Sequence, residues 1–319
     1  MKAAIVQSFA KTPVYGEFPE PRAQEGEVTV KVSAAGLSRL VQAQAAGKHY
    51  SSEAKFPFVP GVDGVGKLAD GTRVYFAFPQ APFGAMAEST VVKQEYCVAL
   101  PVELDDVRAA AGGNPGMSSW AALKDRAKFV KGETVLINGA TGVAGRLAIQ
   151  IAKHLGASRV VVTGRNEASV AGLKELGADA TIALEQEREA LVKAFRGEFK
   201  ERGVDVVLDY LWGPSVESMM EAITGHGGGA AERRVRFVNI GSIAGPKVAL
   251  DASALRSSGV ELMGSGLGSV SNARLVEGIG EFFRSVVPGG FHISADPVAL
   301  SEVEATWGSK TAERVVFTM

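Results

Sequence analysis

A glycine-rich turn between an apolar segment and a helical pattern is the part of this sequence best suited to chemistry. Residues 135–137 are apolar, and the turn after them fits G-x-G-x-x-G with Ala140 in the first position, followed by Gly142 and Gly145. A helix that starts at such a turn directs backbone N–H groups at a phosphate. We therefore predict a dinucleotide site here. The residues predicted to line it are Ala140, Thr141, Gly142 and Val143.

The end of the next predicted strand indicates which dinucleotide binds. In NAD sites an acidic residue about 20 positions beyond the glycines binds the adenosine ribose. Gly164 stands at that position, and Arg165 and Asn166 follow it. A glycine removes the carboxylate that would repel a 2′-phosphate, and the arginine fork can bind one. These residues predict NADP(H) as the cofactor.

Strand and helix patterns alternate from about residue 118 and must position this turn. The first helix repeats Val143, Leu147, Ile151 and Leu155 at a spacing of four and stops at Gly156. Six strand patterns with helices between them predict a doubly wound parallel sheet. Those strands are expected near 135–137, 160–163, 181–182, 204–208, 235–240 and 260–263. The helices between them are expected near 168–176, 186–199 and 215–223.

The rest of the chain has a different pattern of predicted secondary structure. The first ~115 residues are predicted as short strands and turns with few helical patterns. Residues 225–229, with the charged residues 232–234, are interpreted as a solvated loop. A helix at 272–286 and a strand at 314–317 are predicted to close the chain.

Composition excludes several classes of function. With 46% hydrophobic and 22% charged residues the chain is typical of a globular protein, and its net charge of −1 does not favour nucleic acid. We find neither a signal peptide nor a membrane-spanning run, and expect a cytoplasmic protein. Cys97 is the single cysteine, which excludes an internal disulfide and a cysteine-built zinc site, and it is interpreted as an inert thiol. The four histidines lie far apart, so no metal site is predicted.

Motifs along nearly the whole chain resemble one enzyme family. The sequence is similar to the medium-chain dehydrogenase/reductase superfamily, and within it to the zinc-independent quinone oxidoreductases, the zeta-crystallin-like group. The segments that carry the resemblance, besides the glycine turn, are 1–3, 25–28, 32–37, 60–66, 84–88, 116–123, 204–209 and 237–241.

The resemblance implies an α/β architecture of two domains. A Rossmann doubly wound domain that binds NADP would comprise residues 118–265, and a β-rich GroES-like catalytic domain residues 1–117 and 266–319. By resemblance, further residues would face the cofactor or its nicotinamide end. These are Ser118, Gly241, Ser242, Gly264, Ser265 and Gly266. The strand at 260–263 would pair with its copy in a homodimer.

The resemblance also implies the reaction. Zinc-dependent relatives carry histidine and glutamate where this chain has Val62 and Asp63, and a cysteine near Gly36; those ligands are absent here. The implied chemistry is metal-free hydride transfer from NADPH to a small quinone or to an activated C=C bond. For an enone, hydride adds to the β-carbon, and the enolate needs only hydrogen bonds and a proton.

The sequence departs from the family where the acceptor would bind. An asparagine and a tyrosine of many relatives become Ser38 and Ala43, and Trp307 stands where relatives often have histidine. Ser38 and Tyr50 are the candidate catalytic side chains, with His49 as another source of a donor and a surface role as the alternative for Tyr50. Two other functions stay open: an enoyl or alkenal reductase of a specialised pathway, and an NADPH-binding redox sensor with little catalysis.

Overall fold

The computed structural model describes residues 1–224, 232–309, 311 and 313–319. Its strands are β1 Lys2–Ile5, β2 Val14–Glu17, β3 Glu27–Gly36, β4 Asp63–Lys67, β5 Arg73–Ala77, β6 Ser89–Lys93, β7 Cys97–Ala99, β8 Thr134–Asn138, β9 Arg159–Gly164, β10 Ala180–Ala183, β11 Val206–Asp209, β12 Arg234–Asn239, β13 Gly259–Gly264, β14 Ala295–Ala299 and β15 Arg314–Thr318. Its helices are α1 Arg39–Ala45, α2 Asp106–Ala121, α3 Val143–His154, α4 Glu167–Val170, α5 Arg188–Arg196, α6 Pro214–Ile223, α7 Ala252–Arg256, α8 Asn272–Val286 and α9 Val303–Thr306.

The chain forms two compact units. One comprises Met1–Met117 and Asn272–Met319, and the other Ser118–Ser271. The family resemblance implied a second boundary after residue 265, whereas residues 266–271 group here with the second unit.

The second unit is built on a six-stranded parallel sheet. Its strand order is β10-β9-β8-β11-β12-β13, and every neighbouring pair is parallel. All residues of β8 and β11, the two central strands, are buried, which explains their nearly continuous apolar sequences. Helices α3 to α7 connect these strands. The prediction of a doubly wound α/β sheet is confirmed.

The first unit is built on a mostly antiparallel sheet. Its order is β14-β15-β3-β4-β5-β7, with β6 also paired to β3, and only β14 and β15 run parallel. A separate hairpin pairs β1 with β2. A core with Phe76, Met86 and Phe317 packs within this unit. The β-rich character expected for this part of the chain is therefore confirmed.

Several predicted elements differ from those observed. The first unit contains α1, which the sequence analysis did not predict because a seven-residue helix shows too few turns of periodicity. The helix expected at 168–176 is the short α4 followed by a 3-10 turn at Ala171–Lys174. The helix expected at 186–199 is α5, which widens into a π turn at Gly197–Arg202. The predicted loop at 225–229 lies outside the described residues.

Two other predictions match closely. Helix α8 spans 272–286 as expected, and β15 extends the expected strand by one residue.

No helix among the described residues is both long and apolar enough to cross a membrane.

Candidate functional site

The predicted cofactor residues of the second unit follow the carboxyl ends of parallel strands. Residues 139–143 follow β8, residues 164–166 include the end of β9 and the turn after it, and residues 241–242 follow β12. Residues 264–266 begin at the last residue of β13. Because parallel strands end at the same edge of a sheet, the fold brings these four segments to one edge, where ligands of such sheets bind.

The glycine turn is held against β9. Gly139 has a φ of +90°, a conformation that glycine adopts most readily. The backbone N–H of Ala140 donates to the Thr163 carbonyl at 2.9 Å. Gly142 is the N-cap of α3 and, having no side chain, provides no capping oxygen. The first N–H groups of α3 therefore lack an intrahelical partner and can bind an anion.

Two glycines of the turn serve different purposes. A Cβ at Gly145 would lie 2.4 Å from the Ala140 Cα and 2.6 Å from the Gly139 oxygen, so only glycine allows α3 to approach the turn this closely. A Cβ at Gly142 would meet nothing within 4 Å. The space beside Gly142 is therefore open, as a bound pyrophosphate requires. These positions fit a dinucleotide.

The end of β9 presents a cation beside a carboxylate. The Arg165 side chain is 78% exposed, and its Nε lies 3.8 Å from Oε1 of Glu185. Asn166 caps α4 by accepting from the Ser169 N–H at 3.0 Å, and its amide Nδ2 reaches Glu185 at 3.5 Å. The arrangement leaves the Arg165 guanidinium available to a 2′-phosphate, with Glu185 as its present neighbour.

Close packing at the end of β9 favours glycine at position 164. A Cβ at this position would lie 2.5 Å from Cγ1 of Val170 and 2.7 Å from Cγ2 of Thr141. From the sequence, this glycine was explained by the absence of a carboxylate that would repel a 2′-phosphate. The structure adds a second reason, because the backbone at the end of β9 touches the side chains of the glycine turn and of α4.

Hydrogen bonds shape the loops after β12 and β13. The Gly241 N–H donates to the Asp209 carbonyl at 3.1 Å, and the Ser265 N–H donates to the Asn239 carbonyl at 2.8 Å. The Gly266 N–H donates to Oγ of Ser269 at 2.8 Å. Ser242 is exposed. Backbone groups of these loops are thus held in place at the edge where the cofactor is predicted.

Arg126 and Tyr210 tie two further segments to this edge. Nε of Arg126 donates to the Gly264 carbonyl at 2.7 Å. The buried Tyr210 hydroxyl lies 2.8 Å from Oγ of Ser119 and also forms a hydrogen bond with Ser118. Ser118 is thereby linked to Tyr210, the residue that follows β11.

A buried carboxylate at the centre of this edge was not among the predicted site residues. Asp209, the last residue of β11, is fully buried, and burial raises the pKa of its carboxyl group. It accepts hydrogen bonds from Asn138, Asn239, Leu211 and Trp212. An acidic residue ending an apolar strand was the available signal.

The two candidate catalytic residues occupy different environments in the first unit. Ser38 is 4% exposed, and its Oγ accepts the Val41 N–H at 3.1 Å as the N-cap of α1. Tyr50 is 74% exposed, with its ring 4.1 Å from that of His49. Burial lowers the pKa of His49. The catalytic roles of Ser38 and Tyr50 remain predictions.

Asp63, which stands where zinc-dependent relatives carry a glutamate, interacts with a tyrosine and an arginine. Oδ2 of Asp63 accepts a hydrogen bond from the Tyr75 hydroxyl at 2.8 Å, and the Arg314 guanidinium attracts the same carboxylate. Burial nevertheless raises the pKa of Asp63 to about 6. Outside residues 225–231, 310 and 312, no three histidine, cysteine, aspartate or glutamate side chains cluster as a metal site. This donor set does not fit a zinc ion.

Comparisons with known proteins agree with this geometry. Residues 144–281 match the family model described as zinc-binding dehydrogenase. The chain is 27% identical, over an alignment of 349 positions, to a probable NADPH-dependent quinone reductase of Emericella nidulans, and the alignment covers 96% of each chain. It is 30% identical over 233 residues to an alcohol dehydrogenase of Geobacillus stearothermophilus, covering 62% of this chain and 67% of that one.

A solved structure extends the likeness to the full length. The quinone oxidoreductase from Thermus thermophilus superposes with a TM-score of 0.80 at 26% sequence identity. The match covers 100% of both chains.

Proposed function

The chain belongs to the medium-chain dehydrogenase/reductase superfamily, in its zinc-independent quinone oxidoreductase-like group, and from this premise we propose that it transfers hydride from NADPH to a small quinone or an activated C=C bond. The observation that carries the proposal is the shared edge of the parallel sheet, where an open glycine turn and an exposed arginine follow adjacent strands. The unit Ser118–Ser271 would bind the cofactor, and the other unit would supply the acceptor site.

Different segments of the chain would bind different parts of the cofactor. The N–H groups at the start of α3 would bind the pyrophosphate, and the Arg165 guanidinium the 2′-phosphate. The backbone groups of 241–242 and 264–266 would orient the carboxamide. When bound, NADPH supplies a hydride.

The acceptor chemistry proposed here needs a hydrogen-bond donor and a proton rather than a Lewis acid. Reduction of a quinone or an enone places negative charge on oxygen, which a hydroxyl donor can stabilise. Ser38 and Tyr50 are the proposed donors. The Ser38 hydroxyl accepts one hydrogen bond as a helix cap and can still donate its own proton. Tyr50 presents an exposed phenol.

We propose that the protein is a homodimer and that it acts in the cytoplasm. Strand β13 supports the first proposal, because it pairs only with β12 in the described sheet and exposes Glu261 and Leu262. An edge strand of this kind can extend a sheet across two copies. Sedimentation at several concentrations tests the dimer.

The experiment that tests the function is oxidation of NADPH followed at 340 nm. The acceptors are 1,4-benzoquinone, 9,10-phenanthrenequinone and a panel of alkenals. Turnover with quinones supports a quinone reductase, whereas turnover restricted to alkenals or enoyl compounds supports the specialised reductase. Tight NADPH binding without turnover of any acceptor would overturn the enzymatic proposal and favour the NADPH-binding redox sensor with little catalysis. Stoichiometric zinc in the purified active protein would overturn the metal-free chemistry.

A further inference from the structure

The Asp209 carboxylate joins two loops that the proposed cofactor would contact. Its Oδ1 accepts from the Asn138 amide at 2.8 Å, and its Oδ2 accepts from the Asn239 amide at 2.9 Å. Asn138 ends β8 and Asn239 ends β12, the strands on either side of β11. One carboxylate thus spans three adjacent strands at their carboxyl ends.

The hydrogen bonds continue from Asn138 into the glycine turn. Oδ1 of Asn138 accepts from the Thr163 hydroxyl at 2.7 Å, and the Thr163 oxygen accepts the Gly139 N–H at 2.9 Å. The Asn138 amide also reaches Oγ of Ser215 at 2.9 Å. The entry to the turn is therefore connected to Asp209 by side-chain hydrogen bonds.

A second branch reaches the loop after β12. The Asn239 amide, besides donating to Asp209, donates to the Gly241 carbonyl at 2.8 Å. The Ile240 and Gly241 N–H groups both donate to the backbone carbonyl of Asp209, at 2.7 and 3.1 Å. The side-chain carboxylate and the backbone carbonyl of Asp209 thus both hold the segment proposed to line the nicotinamide.

A third contact fixes the chain that follows Asp209 itself. Trp212 has a φ of +60°, a conformation unfavourable for a tryptophan, and its N–H points at both Asp209 oxygens, at 3.1 and 3.2 Å. The Leu211 N–H donates to Oδ1 at 3.1 Å. Leu211 also packs over Gly139, where a Cβ would lie 2.7 Å from its Cγ.

We propose that Asp209 is a positioning residue, which sets the glycine turn and the 239–242 loop at a fixed separation so that both ends of NADPH can bind at once. This inference rests on the proposed function. Asp209 would act through Asn138 and Asn239. Its burial strengthens each hydrogen bond, because water does not compete for the carboxylate.

The test compares Asp209→Asn with Asp205→Asn. Asp205 lies just before the amino end of β11, where its carboxylate accepts the Thr134 N–H at 2.9 Å and pairs with Arg233 at 3.0 Å. The two variants each remove one carboxylate, at opposite ends of β11, but only Asp209 adjoins the proposed site. We expect D209N to weaken NADPH binding, measured by nicotinamide fluorescence, by about 10-fold or more, and D205N by less than about 3-fold. Thermal unfolding of the unliganded proteins reports the structural loss separately.

A second variant decides the question even if D209N does not fold. Asn239→Ala cuts only the branch to the 239–242 loop and leaves the glycine turn and Arg165 in place. It should weaken NADPH binding by about 10-fold and leave the affinity for 2′,5′-ADP, the adenosine half, within about 2-fold. Equal losses for both ligands, or no loss for either, would overturn the inference.

The outcomes separate this inference from the proposed function. If the wild-type protein does not bind NADPH, the proposed function fails and the inference fails with it. If the wild type binds NADPH while D209N and D205N bind it equally well, only the inference fails.

Discussion

Arg165 and Glu185 face each other across the ends of β9 and β10, with Nε of the guanidinium 3.8 Å from the carboxylate Oε1. The backbone fixes this pairing, because the Glu185 N–H donates to the Arg165 carbonyl at 2.8 Å. A 2′-phosphate bound to Arg165 would therefore share its guanidinium with a carboxylate. Exposed pairs of this kind are weak, so a doubly charged phosphate can compete.

Arg165→Ala should weaken NADPH binding by about 10- to 100-fold and leave NADH nearly unaffected, because only NADPH loses a charged hydrogen bond. Titration of nicotinamide fluorescence with both cofactors measures the ratio. Equal losses for the two cofactors would remove the assignment of Arg165 to the 2′-phosphate.

Glu185→Gln should have the opposite effect. Removing this charge frees Arg165 and ends a repulsion with the phosphate, so NADPH affinity should rise about 2- to 5-fold while NADH affinity stays the same. The matched control is Glu189→Gln, which neutralises an exposed carboxylate in the first turn of α5. A gain as large in the control would mean that net charge, rather than Glu185, is responsible.

Gly142→Ala and Gly145→Ala should separate binding from folding. The G142A methyl group enters open space, so the free energy of unfolding should change by less than about 1 kcal/mol while NADPH binding falls about 10-fold. The G145A methyl group meets backbone atoms of the turn and should cost about 1–3 kcal/mol of stability. Urea unfolding and cofactor titration of both variants provide the comparison. Similar effects of the two substitutions on stability would contradict it.

Asp63 should make the fold less stable as the pH rises. Its pKa is raised from 3.8 to about 6 in the folded chain, chiefly by burial, so the protonated form is favoured there. The stabilisation is present below about pH 4 and is lost as the pH rises through about 6, amounting to about 3 kcal/mol. Asp63→Asn does not titrate, and its stability relative to wild type should therefore improve between pH 4 and pH 7.

Urea unfolding at each pH measures this difference, and Asp70→Asn gives the control. The pKa of Asp70 is lowered from 3.8, chiefly by hydrogen bonds from Thr72, so its contribution to stability is lost only below about pH 4, and the stability of D70N relative to wild type should stay nearly constant between pH 4 and pH 7. Parallel pH profiles for wild type and D63N would show that Asp63 titrates alike in the folded and unfolded chain.

Cys97 should be nearly inert toward thiol reagents. It is partly buried, and burial raises the pKa of its thiol to about 11, so only about one molecule in a thousand carries a thiolate at pH 8. Its reaction with a disulfide reagent should be roughly 100-fold slower than that of free cysteine and should become fast in urea. A rapid reaction in the folded protein would refute this prediction.

The sequence predicted the parallel sheet because each of its strands is a short apolar run bounded by helical periodicity. The glycine turn was visible for the same reason, since its spacing is local. The links of Asp209 were not visible, because Asn138 lies 71 positions away and Asn239 lies 30 positions away, and only strand pairing brings them together. Helix α1 was missed because one serine cap and two turns leave little periodicity.

The packing around Gly164 restricts how the coenzyme preference of this protein could be reversed. The usual route to an NAD enzyme would place an acidic residue at this position, but any side chain there would collide with Val170 and Thr141. A carboxylate aimed at the ribose would have to be introduced at Arg165 or Asn166 instead. Redesign, and natural drift toward NAD, would therefore begin in the turn after β9 rather than at the strand end itself.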